Sequence, residues 1–368
     1  MKTFPLPGLT LQEAKELQFR LVDEITREFR GSEILTRGDL GVVKGLNKPR
    51  ITEKVEKVLA RFFRTDSCML VRGAGTNAIR MALFSCVNPG DHILVHDAPI
   101  YPTTQTTIDL LNLQVVRADF NRTESIVETL ESNPNVKAAL IQYTRQKMDD
   151  RYDMKAVIET IKSNRPNLPV VTDDNYAALK VKRIGAELGA DLSCFSLFKL
   201  LGPEGIGCIV GKAEYIRKLV RQNYSGGLQV QGYEALEALQ GLIYAPVMLA
   251  IQAEVNERLV TRLNNKEIAG VKRAFLANAQ SKVLLVEFEQ EIAEKVLEEA
   301  EKLGAAPYPV GAESRYEFVP MFYRVSGTFL AAVPALEKRM IRINPMRSGE
   351  ETVLRILKSA IEKAVESM

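Results

Sequence analysis

Two apolar runs in this chain end on residues that can do chemistry. Leu168-Pro-Val-Val-Thr172 ends on Asp173 and Asp174, and Leu192-Ser-Cys-Phe-Ser-Leu-Phe198 ends on Lys199. Each run has the length and the β-branched or aromatic content of a buried strand. Parallel strands bring their carboxyl ends to one edge of a sheet, and open α/β sheets bind ligands at that edge. A lysine held there, partly desolvated, loses basicity and becomes an amine nucleophile toward an aldehyde. An aspartate at the neighbouring strand end can hold a protonated ring nitrogen. Taken singly, such a lysine snorkels to solvent and such acids cap a helix. Here the two strand ends come together, and Gly202-Pro-Glu-Gly-Ile-Gly207 follows at once, where the chain must turn.

Val170-Val-Thr-Asp173, then Ser196-Leu-Phe-Lys199, then a glycine-rich turn resembles the pyridoxal phosphate (PLP) enzymes of fold type I, the aspartate aminotransferase superfamily. The resemblance implies that Lys199 holds the cofactor's aldehyde as a Schiff base and then moves the Cα proton of an amino acid. It implies that Asp173, rather than Asp174, faces the pyridine nitrogen. It implies that Tyr176, three residues on, hydrogen-bonds the ring's 3-oxygen, and that Ser196 belongs to the cofactor site.

The other parts of such a site are spread along the chain. Arg72-Gly-Ala-Gly-Thr-Asn-Ala is a glycine turn running straight into a helical pattern. Amides at such a helix start, aided by the dipole, form an anion site. It resembles the superfamily's phosphate turn, with Gly75, Thr76 and Asn77 as the implied contacts. Ala98-Pro-Ile-Tyr101 occupies the place where the cysteine/methionine-metabolism branch stacks a tyrosine on the cofactor ring, and a flat aromatic face suits a pyridinium. Lys338-Arg-Met-Ile-Arg342-Ile resembles the strand whose arginine grips the substrate α-carboxylate, a task suited to a bidentate fork; Arg339 and Arg347 are rivals to Arg342. Two departures stand out. The usual Asn-Pro element after Ile141 is replaced by Gln142-Tyr-Thr-Arg145, which leaves Gln142 or Arg145 as substitutes. Leu35 precedes Thr36-Arg37 where that branch carries a tyrosine reaching the neighbouring subunit's phosphate.

These pieces need a large scaffold, and 368 residues supply one. The expected fold is α/β: residues 1–50 form an amino-terminal helix and arm, with Thr10 and Glu13 as a capping box for a helix over Leu11–Phe29. Residues 51–245 form a large three-layer PLP-binding domain with a mainly parallel sheet. Residues 246–368 form a long connecting helix, broken near Pro246, and a smaller α+β carboxyl-terminal domain. Forty-nine basic residues against 46 acidic ones argue against nucleic acid or an anionic membrane surface as partner. With two histidines a His-rich metal site is not expected, and four separated cysteines read as buried thiols of a reducing compartment. No apolar signal core or run of transmembrane length is expected, which points to the cytoplasm. The resemblance implies a homodimer with a shared active site, acting on a small amino acid and an oxo acid. Tyr176 and Arg342 favour aminotransfer; a C–S β- or γ-lyase and a non-catalytic PLP-binding regulator or scaffold are the alternatives.

Overall fold

The structure, a computed structural model, describes residues 2–278, 282–311 and 313–367. The chain opens with α1 (Leu11–Glu28), the single turn α2 (Gly31–Ile34) and α3 (Arg50–Phe62). Strands and helices then alternate: β1 (Ser67–Arg72), α4 (Ala74–Cys86), β2 (His92–His96), α5 (Pro102–Leu110), β3 (Gln114–Ala118), α6 (Thr123–Ser132), β4 (Val136–Gln142), α7 (Met154–Asn164) and β5 (Val170–Asp173). β6 (Leu192–Ser196), β7 (Ile206–Gly211) and α8 (Ala213–Gln222) complete the large unit, and α9 (Gly232–Asn264) leads out of it. The carboxyl-terminal part holds β8 (Val271–Ala277), β9 (Val283–Phe288), α10 (Ala293–Lys302), β10 (Met321–Arg324), α11 (Gly327–Ala332), α12 (Leu336–Arg339), β11 (Met340–Asn344) and α13 (Glu350–Glu366).

The large sheet has the order β1-β7-β6-β5-β4-β2-β3. It is parallel from β6 to β3, while β7 runs antiparallel to both of its neighbours. In the parallel part Gln142 lies beside Asp173, and Asp173 beside Cys194, so the ends of β4, β5 and β6 share one edge. β1 also ends at that edge, because two antiparallel pairings restore its direction, and α4 therefore begins there. Buried Val, Ile and Leu cover both faces, as a sheet sandwiched by helices requires. The capping box holds: Glu13 N donates to Thr10 Oγ1 at 3.2 Å and Thr10 N to Glu13 Oε2 at 2.9 Å. α1 shares the core of the large unit through Leu21, Ile25 and Phe29. The smaller carboxyl-terminal sheet, β10-β11-β9-β8, is antiparallel throughout and packs on α10 and α13.

Two expectations are corrected here. α9 runs unbroken through the buried Pro246. An internal proline costs about 3 kcal/mol, yet Leu236, Leu239, Leu242 and Leu249 are all buried in the core, each contributing about 1.5–3 kcal/mol. Packing outweighs the lost hydrogen bond. The stretch Gly226–Asn264 is also long and apolar enough to cross a membrane, contrary to expectation. Its apolar side chains instead pack with α1 and α3 along its first part and, through Val255, Leu259 and Leu263, in the core of the carboxyl-terminal domain along its last.

Candidate active site

The site grows from the sheet edge. Gly73 sits at φ +92°, a left-handed turn that frees α4 to start. Gly73 N and Ala74 N both donate to Gly205 O, at 2.7 and 2.9 Å, which ties this turn to the one that follows Lys199. Asn77 N closes onto Gly73 O, leaving the Gly75 and Thr76 amides as the donors that face outward at the helix start. Thr76 Oγ1 reaches Thr103 Oγ1 at 3.3 Å, so two hydroxyls stand together at the helix start. A Cβ on Gly75 would lie 2.5 Å from Asn175 Oδ1, so only glycine fits against that side chain.

Asn175 organises the acid. Its backbone N and Nδ2 donate to Asp173 Oδ1 at 3.0 and 2.7 Å, and its Oδ1 accepts from Ser196 N at 3.0 Å. Burial pushes the Asp173 carboxyl above the usual carboxylate range, and the Asn175 donors and Lys199 pull it back. Asp174 turns away from the cleft: Oδ2 accepts from Thr172 Oγ1 at 2.6 Å and Oδ1 from Gly185 N at 3.3 Å.

Lys199 lies in a 3₁₀ turn, Phe198–Leu200, closed by Leu201 at φ +65° and by Gly202 N donating to Leu197 O at 2.9 Å. Its Nζ stands 3.9 Å from the centre of the Tyr176 ring. Burial pushes the amine below its ordinary value, with Tyr101, Asp173 and Glu313 partly reversing the effect. Tyr176 takes a left-handed backbone, φ +64°, rare for a bulky side chain and a mark of a constrained position.

The small domain closes the far wall. On β11, opposite Tyr323, Arg342 donates from Nε to Arg324 O at 2.6 Å, and its guanidinium lies 4.1 Å over the Tyr323 ring. This anchoring fixes the guanidinium on the wall of the cleft. Arg339 binds Glu289 O at the surface and Arg347 donates to Gln252, so of the three rivals Arg342 is the one that lines the cleft. Pro309 and Gly311 come from a loop folded around Glu317, whose carboxylate accepts from Val310 N, Gly311 N and Ser314 N at 2.5, 2.8 and 2.8 Å. The enclosed cleft has a volume of about 630 Å³ and brings together Gly75, Thr76, Tyr101, Asp173, Tyr176, Ser196, Lys199 and Arg342. That size suits a cofactor with a small substrate.

Residues 43–241, just over half of the chain, match the family Aminotransferase class-V. The chain belongs to that family. Its fold is the fold type I architecture expected from the sequence, and residues 257–357 match the YhfS-like, C-terminal domain family. The uncharacterized protein YhfS of Escherichia coli (strain K12) is 55% identical over 362 residues, 98% of this chain and 99% of that one. A solved structure of YhfS from Escherichia coli, described as pyridoxal-5'-phosphate dependent, superposes with a TM-score of 0.97 at 54% identity, covering 99% of this chain and 100% of that one. The L-methionine gamma-lyase of Porphyromonas gingivalis is 26% identical over 233 residues, 61% of this chain and 55% of the lyase.

Two sequence expectations do not survive the geometry. Asn77 does not join the anion site; its Nδ2 donates to Arg72 O at 2.8 Å, because one helical turn into α4 the side chain points back to the strand end. Arg145 is no substitute for the missing Asn-Pro element: it is buried against the carbonyls of Phe4 and Tyr152, at 2.6 and 2.7 Å. Gln142 does line the cleft. Thr103, Thr144, Gln146, Asn175, Tyr323 and Ser326 complete its polar lining and were not anticipated. They arrive mostly from loops, where polar residues carry no periodicity to betray an inward face.

Proposed function

We propose that this protein binds pyridoxal 5'-phosphate and uses it to cleave a C–S bond in an amino acid. The residues fit the cofactor on two counts: two helix-start amides with the Thr76 and Thr103 hydroxyls for the phosphate, and the Asp173 carboxylate for the pyridine nitrogen. The observation that carries amino-acid chemistry is the convergence, in one cleft, of a lowered-pKa lysine, that carboxylate and an anchored arginine fork.

When bound, the cofactor supplies an electron sink that acidifies the Cα–H of an attached amino acid. Asp173 holds the ring's nitrogen proton, with Asn175 occupying Oδ1 and leaving Oδ2 for that contact. Arg342 fixes the α-carboxylate, and this orients the Cα–H. Lys199 Nζ, made less basic than a free lysine by burial, takes the Cα proton. Tyr101, the first residue before α5 and at the cleft mouth, gives its hydroxyl proton to the departing sulfur. The products are a thiol, ammonia and a 2-oxo acid, the last two released after water enters.

Tyr101 and the likeness to a methionine gamma-lyase support elimination. The aminotransferase reading rests on Tyr176 and Arg342; the Tyr176 ring lies against the Lys199 amine and Arg342 lines the cleft, placements that serve either reaction. Repeated release of thiol and oxo acid from cysteine, cystathionine or methionine, without any added acceptor, is the expected result. A single turnover that restarts only when a 2-oxo acid is supplied would assign aminotransfer instead. We further propose a homodimer with a shared site. The exposed Leu35, Leu40, Val42, Tyr224 and Leu228 cluster where residues 38–47 bond to residues 224–232, an apolar patch beside the exposed Arg37. Sedimentation of the holoprotein as a monomer would overturn this.

A further inference from the structure

A second lysine stands behind the first. Lys180, on the turn after β5, is buried, and its Nζ lies 5.4 Å from the centre of the same Tyr176 ring that Lys199 touches. Its partner is Glu313, also buried, from the loop that gives Pro309 and Gly311 to the cleft wall. Glu313 is a hub: Oε2 pairs with Lys180 Nζ, while Oε1 accepts from Gln252 Nε2 at 2.8 Å and from Asn344 Nδ2 at 3.5 Å. Its backbone sits at φ +76°, a left-handed conformation that disfavours a non-glycine residue, so the carboxylate is held inward against local strain.

We propose that Lys180 and Glu313 are a positioning pair for Lys199: the small-domain carboxylate holds Lys180 against Tyr176, and the two opposite charges together set the electrostatic surroundings of the Lys199 amine. Lys199 is faced by Asp173, Tyr101, Tyr176, Glu313 and Lys180. Lys180 is faced by Glu313, Tyr176, Lys199 and Arg347, with Lys282 on the opposite wall of a small cavity, where it pairs with Glu257. An opposite charge favours the protonated amine and a like charge opposes it, so Glu313 holds Lys199 more basic than it would otherwise be and Lys180 holds it less so. A unit charge several ångströms away in such a medium shifts a titration by about 1–2 pH units. Because Glu313 travels with the loop that walls the cleft, the pair also couples seating of the small domain to the state of the amine.

This inference rests on Lys199 being the residue that carries the cofactor. The test is a pH titration of the bound cofactor's absorbance in the holoprotein, which reports the nitrogen of Lys199. Lys180→Met leaves Glu313 uncompensated and raises the midpoint by on the order of one unit; Glu313→Gln lowers it by a similar amount. Lys180→Arg keeps the charge and the wild-type midpoint. The double variant Lys180→Met/Glu313→Gln removes both charges, avoids a lone buried ion and returns the midpoint to the wild-type value, so a reading exists even if a single variant does not fold. Two single variants shifting the midpoint in the same direction, as general loosening would cause, overturn the proposal, as does a double variant displaced by a full unit. Borohydride reduction and peptide mapping of every variant separates the two readings: label on a residue other than Lys199 overturns the assignment of the amine itself.

Discussion

Replacing Asn175 by alanine tests whether the acid of the site is tuned by its neighbour. Asn175 gives Asp173 Oδ1 two hydrogen bonds, 3.0 Å from the backbone and 2.7 Å from Nδ2, and the substitution removes the second while loosening the first. A hydrogen bond to an ionised group is worth about 1.5–3 kcal/mol. With water recovering part of that, a net loss of about 2 kcal/mol corresponds to roughly 1.5 pH units. The sign follows from the causes: burial already holds Asp173 above its ordinary value, and the Asn175 donors oppose burial, so their loss raises the carboxyl further. The ionised form then disappears at a higher pH as the pH falls. The assay is the rate of Cα-proton exchange into deuterated buffer, as kcat/KM against pH. The acid limb moves upward by about 1–2 units in Asn175→Ala, and Asp173→Asn has no such limb and little activity. An acid limb that stays in place in Asn175→Ala refutes the reasoning, because the hydrogen bonds that hold the carboxylate would then not control its charge.

Tyr101→Phe slows thiol release by roughly 10²-fold while leaving Cα-proton exchange near the wild-type rate, since only the departing sulfur needs that hydroxyl; stopped-flow thiol detection measures it. Arg342→Gln loses a charge-assisted fork worth about 2–3 kcal/mol and raises KM by roughly 30–150-fold, whereas Arg339→Gln at the surface leaves KM unchanged. Burial pushes Asp174 up to about 7, above its unfolded value, so its contribution to stability is fully present below pH 4 and declines as pH rises toward 7. Asp174→Asn therefore flattens the fall in unfolding free energy, measured by urea titration, between about pH 4 and 7, a slope of about 1.4 kcal/mol per unit in the wild type.

The parts of the site at strand ends could be read in the sequence, because an apolar run has a definite end and a parallel sheet sends that end to a known edge. Asp173 and Lys199 were reached this way and Ser196 through the family resemblance; all three line the cleft, while Asp174 bonds to Thr172 and Gly185 instead. Gly75 and Thr76 were found from a glycine turn feeding a helix. Asn77 was misplaced by one turn of that helix, since spacing along a sequence does not say which first-turn side chain folds back. Pro246 misled because a local rule was applied to a helix held by its core. Strands β8 and β10 escaped notice for lack of clear alternation, β10 being buried at three of its four positions. The Lys180–Glu313 pair was out of reach altogether: 133 residues separate two side chains that each look like ordinary surface charges.

The carbonyl of Gly205 accepts from both Gly73 and Ala74, and one residue further on Ile206 O accepts from Leu197 N. The turn that starts α4 and the turn that carries Lys199 are thus stitched to neighbouring carbonyls at the start of β7. They form a ruler with fixed marks. No ligand has to draw the two turns together, so the entropy of closing them is already met by the folded sheet. A molecule with the same ring and the same anion but a longer or shorter arm between them meets a frame that does not stretch. Selection by length is here imposed by backbone alone, and substitutions of the side chains in contact with the ligand will not relax it.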